Sequence, residues 1–164
     1  MALSGSPLCL TCGLCCNGTL YERVEVKPQH VPLVSKLRLR LEPFNDSFQF
    51  PQPCSLYQKD CCSVYPHHPP SCKAYKCALL HKYESGEVTF DESIAIVQET
   101  KEFTRGDSWE TIRQDMAQGW NVEQGVLESG AARTTNVAAV LRAVTVDRLL
   151  EKHFRWPKKD EISN

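Results

Sequence analysis

All nine cysteines of this 164-residue chain fall within its first 77 residues, and four stand together as Cys9-x-x-Cys12-x-x-Cys15-Cys16. That clustering constrains the fold more than any other feature. In a secreted chain it would signal a disulfide framework; in a reducing compartment it signals metal binding or redox chemistry. An odd count leaves one thiol over in a pure disulfide scheme. The stretch before Cys9 has no basic n-region and no apolar h-region, which argues against a secretory leader or a lipoprotein signal. No apolar run approaches the ~20 residues needed to span a bilayer. The expectation is a cytoplasmic protein with reduced thiolates and no membrane partner. Its formal net charge of -1 likewise gives no general attraction to nucleic acid.

The chain changes character along its length. Residues 1–84 are rich in Cys and Pro, whereas residues 85–164 lose both apart from Pro157 and become periodic. The change falls around Tyr83-Glu84-Ser85-Gly86, which reads as a turn. A hydrophobic fraction of 41% is enough for a core. The expected fold is α+β, small and irregular: a metal-stapled, cysteine-rich N-terminal module (1–84) and a C-terminal helical lobe (85–164). In the module, Tyr21 to Val26 alternates as a short strand, and Lys36 to Leu41 alternates as a strand or short helix. From Pro43 to Pro70 the chain carries six of its ten prolines and reads as a long ordered loop needing something to hold it.

In the lobe, Thr89-x-x-Glu92 resembles a capping box for a helix carrying Ile94, Val97 and Phe103. Ser108 is a candidate cap for a second helix with Trp109, Ile112 and Met116 on one face and Gly119 at its end. A third is expected from about Thr135 to Phe154, burying Val137, Val140, Leu141, Val144 and Leu149 against the other two.

Thiolates two residues apart can reach one metal from a tight turn, a spacing common to zinc and iron–sulfur proteins. Gly13 supplies backbone freedom there. Cys15 and Cys16 are adjacent, so their side chains diverge, and one of them would serve a second metal or bridge. A second group follows: Cys54, Cys61, Cys62, Cys72 and Cys77. Eight thiolates can make two four-sulfur sites, or one cluster plus a redox or sensing pair. Buried structural thiols are the plainer alternative.

The run Cys9-x-x-Cys12-Gly13-x-Cys15-Cys16-Asn17-Gly18-Thr19-Leu20 resembles the opening of the CxxCxxCC family of zinc- or iron-chelating domains, the YkgJ-like cysteine-cluster proteins. The likeness continues through Pro51-x-Pro53-Cys54, Cys62-Ser63-Val64-Tyr65 and Pro69-x-x-Cys72-Lys73-x-Tyr75-x-Cys77, and covers about residues 9–80. It implies that the metal ligands are Cys9, Cys12, Cys15, Cys16, Cys54, Cys62, Cys72 and Cys77, with Cys61 the spare thiol. His68 stands where the family has an arginine, which puts in doubt a hydrogen bond to the metal site from that position.

His67 and His68 could replace a thiolate on zinc, but their place suits an exposed turn; His30, His81 and His153 read as surface residues. Lys36, Arg38 and Arg40 read as a solvated face, and the basic tail 155–159 as a frayed terminus. Tyr57, Tyr65 and Tyr75 are expected to pack around the metal and exclude water. No GxGxxG, Walker A, HExxH or Gly-x-Ser-x-Gly pattern occurs, so no enzyme class or catalytic residue is signalled. The partner implied is a metal ion, zinc or iron. Three roles compete: a structural or metal-handling protein, an iron–sulfur protein for electron transfer or redox sensing, and an enzyme. The enzyme reading rests on a cysteine motif that is similar to one in flagellin lysine methylases. It ranks last because the second half shows no cofactor-binding segment.

Overall fold

The computed structural model describes residues 6–65, 67–105, 120–121, 126–127 and 137–156. It is a small α+β structure of short helices and small antiparallel sheets. The chain divides into two units, residues 1–90 and 91–164. No helix among the described residues is long and apolar enough to cross a membrane.

The first unit begins with α1 (Pro7–Cys12), which has proline at its start and Gly13 at its end with φ 68. Strands β1 (Arg23–Val26), β2 (Glu42–Phe44) and β3 (Ser47–Pro51) form an antiparallel sheet in the order β1-β3-β2, with Val24 opposite Phe50 and Val26 opposite Phe48. Between β1 and β2 lies α2 (Val31–Lys36). Val26, Val34, Leu39 and Phe50 are the buried heart of this unit, and Cys54, Leu56 and Cys72 pack at its edge. A second hairpin joins β4 (Tyr57–Gln58) to β5 (Cys61–Cys62). Helix α3 (Pro70–Ala74) lies against β1, where the Ser71 hydroxyl donates to the Glu25 carbonyl at 2.6 Å. Helix α4 (Ala78–Ser85) buries Ala78, Leu79 and Leu80 and ends at Gly86, φ 81.

Three expectations need correction here. The stretch Pro43–Pro70 is not one loop but holds two hairpins, because Asn45 (φ 49), Lys59 (φ 50) and Asp60 (φ 62) take the left-handed backbone that tight reversals demand. Lys36 to Leu41 forms no strand: Lys36 ends α2 and Arg38 turns with φ 58. Its alternation of burial survives, with Leu39 buried and Arg38 and Arg40 exposed. Finally, Tyr83–Ser85 belongs to α4, and the turn starts at Gly86.

The second unit contains α5, whose range is Phe90–Phe103, a two-stranded pair β6 (Trp120–Asn121) and β7 (Val126–Leu127), and α6 (Val137–Leu149), which continues as a π-helical turn, Leu150–Phe154. Helix α5 buries Ser93, Val97 and Thr100, one stripe at helical spacing. The expected helix at Thr135–Phe154 is therefore present over its described part, but its buried face is different. Ala143, Val146, Leu150 and Phe154 are buried, Val144 and Leu149 are half-buried, and Leu141 is 62% exposed. The placement of Arg142 accompanies this face. Its guanidinium donates to the carbonyls of Phe103 (2.6 Å) and Arg105 (2.7 Å) at the C-terminal end of α5. Phe103 is the last residue of α5 and its carbonyl has no partner within the helix, so a cation there satisfies it and the helix dipole together, while Arg105 lies two residues beyond. The side chains of Val137 and Val140, and the helix expected after Ser108 (Trp109, Ile112, Met116, Gly119), lie outside the described residues.

Candidate metal centre

Three separate segments of the first unit bring the cysteines together. Cys9 and Cys12 sit three residues apart on α1, hence on one face of a helical turn where a tight non-helical turn was expected. Gly13 then reverses the chain. A Cβ at Gly13 would lie 2.7 Å from the Tyr57 ring, so glycine is favoured there both by φ and by space. The reversal carries Cys15 and Cys16 past β4, and the Cys16 carbonyl accepts from the Cys54 amide at 2.8 Å.

In the β4–β5 hairpin, Tyr57 faces Cys62 and Gln58 faces Cys61. Cross-strand partners share a face of the ladder and consecutive residues alternate, so Cys61 and Cys62 point to opposite sides. The Cys61 thiol donates back to the Cys62 carbonyl at 3.7 Å. Cys72 rides on α3. Cys77 is the N-cap of α4, its sulfur accepting from the Leu80 amide at 3.4 Å.

All nine cysteines are free thiols. Burial pushes the Cys9 thiol up to about 11 and those of Cys16 and Cys72 up to about 12, and neighbouring sulfurs push the same way. Those neighbours are specific. Cys15, raised well above the ordinary thiol value by burial, next feels Cys12, Cys77, Cys16 and Cys9. Cys16 feels Cys62, Cys72, Cys54 and Cys12. Cys72 feels Cys54 and Cys62, and Cys9 feels Cys77. Adjacent Cys15 and Cys16 thus diverge into different company. Burial also raises Cys54 and Cys77, opposed at Cys54 by the amides of Leu56 and Tyr57 and at Cys77 by those of Leu80 and Leu79.

The three tyrosines line the same region. Burial raises Tyr57, Tyr65 and Tyr75, with nearby thiols adding to it: Cys16 and Cys12 for Tyr57, Cys9 and Cys62 for Tyr65, and Cys15 and Cys77 for Tyr75. The Tyr57 hydroxyl donates to Asp60 at 3.1 Å, and Tyr75 meets Tyr21 edge-on with ring centres 4.9 Å apart. His67 is exposed, as expected of a turn, but His68 is half-buried and stacks on Tyr65 at 4.5 Å, almost parallel. That stacking was not readable from the spacing of His68 in the chain.

The donor chemistry fits zinc or iron. Soft sulfur is the preferred donor for zinc and for iron–sulfur clusters, and neighbouring thiols would repel one another as anions, which a cation would relieve. Their side-chain positions are not those of a closed coordination shell: among the described residues no group of three Cys, His, Asp or Glu side chains is placed to hold one ion. The fold thus gathers the donors without closing them on a point.

Searches of curated proteins and of solved structures returned no match. A family model does match, over residues 8–105, and is described as a putative zinc- or iron-chelating domain. The match runs past residue 80, where the resemblance read from the sequence stops, and takes in α5. It spans well over half of the sequence, from the first cysteine motif onward, so the chain belongs to the CxxCxxCC family of zinc- or iron-chelating domains.

Proposed function

We propose that the protein chelates zinc or iron, as single ions or as an iron–sulfur cluster, through Cys9, Cys12, Cys15, Cys16, Cys54, Cys62, Cys72 and Cys77. The observation that carries this reading is the gathering of thiols from α1 and its following turn, the β4–β5 region and the α3–α4 region into mutual electrostatic reach. A bound cation would supply the charge that lets these thiols ionise. The chain's own groups prepare for it: amides at Cys54 and Cys77 favour the thiolate, and Tyr57, Tyr65 and Tyr75 limit access of water. Every proposed donor precedes residue 84, leaving the helical lobe without a ligand. The role is structural or metal-handling, and it requires reduced cysteines, hence a reducing compartment such as the cytoplasm.

Metal content tests the assignment. In full-length protein purified without oxygen, Cys12→Ser should lower bound zinc or iron, whereas Cys61→Ser should leave it near wild type, since Cys61 faces away from Tyr57 and Cys62. Equal loss from both would refute the ligand set. A wild-type chain that binds neither metal after reconstitution would refute chelation.

A further inference from the structure

We propose that Tyr57 and Asp60 are a positioning pair for the metal centre: Tyr57 joins the chain reversal after Cys12 to the β4–β5 hairpin, and Asp60 holds the Tyr57 ring in place. The inference rests on the chelation reading above and adds residues that act through the ligands without being ligands. Geometry carries it. The outer end of the Tyr57 ring occupies the space that a side chain at residue 13 would take. A Cβ there would stand 2.7 Å from both Cε2 and the hydroxyl, and 3.0 Å from Cζ. Gly13 follows Cys12 directly and precedes Cys15 by two residues, so the ring rests on the backbone of the cysteine reversal itself. The backbone of Tyr57 belongs to the other cysteine segment. Its amide donates to the Cys54 carbonyl at 2.9 Å, and it faces Cys62 across the ladder. The Cys54 amide in turn donates to the Cys16 carbonyl at 2.8 Å, and α1 packs against β5. One residue thus meets the chain beside Cys12, at Cys54 and opposite Cys62.

The tip of that ring is held from the hairpin turn. The Tyr57 hydroxyl donates to Asp60 Oδ1 at 3.1 Å. Lys59 and Asp60 are the two turn residues between β4 and β5, and both take left-handed backbone, with φ 50 and φ 62. Glycine is the favoured residue at the second position of such a turn. Aspartate tolerates the left-handed region but gains nothing from it. Its bond to Tyr57 accounts for a carboxylate at this place. Excluding water from the thiols would need only an aromatic ring, which phenylalanine supplies as well. Fixing the ring end over Gly13 needs the hydroxyl and an acceptor for it. The two ends of the device are therefore the Gly13 backbone and the Asp60 carboxylate.

Zinc(II) and, without oxygen, iron(II) are the probes. Each is titrated into reduced full-length protein against a chromogenic chelator, and affinities are compared for the ion that wild type binds more tightly. Tyr57→Phe and Asp60→Gly should each weaken binding by about 3- to 10-fold, the worth of one exposed hydrogen bond, with stoichiometry unchanged. Combining them should cost no more than either alone, because both remove the same bond. Asp60→Asn, whose amide oxygen can still accept, should bind more tightly than Asp60→Gly. The sign at Asp60 separates positioning from hairpin stability, since glycine suits φ 62 and would improve a residue that served only the turn. A second cycle tests the contact with the reversal. Gly13→Ala should cost less affinity in Tyr57→Ala than in wild type, because the ring end it displaces is gone. If Tyr57→Ala does not fold, the Tyr57→Phe and Asp60→Gly cycle decides. Wild-type affinity in both of those variants, losses that add, or an equal cost of Gly13→Ala in both backgrounds would overturn the pair while leaving chelation intact. Wild type that binds neither ion would overturn the chelation reading and the pair with it.

Discussion

The two units of this chain stabilise themselves by different means. The second buries stripes on regular helices, Ser93, Val97 and Thr100 on α5 and Ala143, Val146, Leu150 and Phe154 on α6 and its π turn. The first has short strands, three helices of five or six residues and the eight-residue α4. Isolated helices this short are marginal in water. Its sheet rests on a small cluster, Val26, Val34, Leu39 and Phe50, whose edge is finished by Cys54 and Cys72. A unit built in this way gains most from a cross-link at its cysteines, and a metal bound there would supply one. The difference teaches that a chain can spend little sequence on periodic structure where donors are placed to be stapled.

The largest effect expected is on metal affinity. Thiols held up near 11 to 12 are protonated at neutral pH, so binding must expel their protons. Affinity should therefore weaken as pH falls, by about 10⁴-fold per pH unit for a site of four thiolates. Competition with a chelator between pH 6.5 and 8 measures this slope. A slope near 10²-fold would mean two thiolates per site and would break the staple account.

Next comes the helical unit. Phe154→Ala removes a fully buried ring and should destabilise by about 3–5 kcal/mol, read by denaturant unfolding, with metal stoichiometry unchanged. Loss of metal from this variant would show the two units to be energetically one. Gly13→Ala should cost about 1–3 kcal/mol, from the left-handed backbone and the displaced Tyr57 ring, and should also weaken metal binding. Leu141→Ala comes last. At 62% exposure the side chain should contribute less than about 0.5 kcal/mol, and a larger loss in Tm would show that this face is covered.

The sequence was informative where chemistry is local. The CxxC spacing, Gly13 as a chain reversal and the helix ending at Phe154 are all properties of a few neighbouring residues, and so was the resemblance that the family match supports. It was silent where long-range contacts decide. Asn45 and Lys59-Asp60 are not the Asn-Gly or Asp-Gly pairs that announce a hairpin, so strands inside the proline-rich stretch went unread. The phase of α6 was misread because Val140, Leu141, Val144 and Val146 leave it apolar on several sides. Arg142 bonds to the carbonyls at the end of α5, the buried stripe is Ala143, Val146, Leu150 and Phe154, and Leu141 lies roughly half a turn from it. The sorting of Cys15 from Cys16 was half legible: adjacency implies divergence, but the company of each depends on the Cys54–Cys16 backbone bond.

The central claim is that metal holds the cysteine unit and not the helical one. Binding at a structural thiolate site is worth about 10–16 kcal/mol, comparable with the whole stability of a domain. Hydrogen exchange read peptide by peptide, on reduced metal-loaded protein before and after chelation, tests it most directly. The account predicts that protection is lost in β1, β3, α1 and α4 and retained in α5 and α6. Undiminished protection across residues 9–80 after complete removal of metal would contradict it.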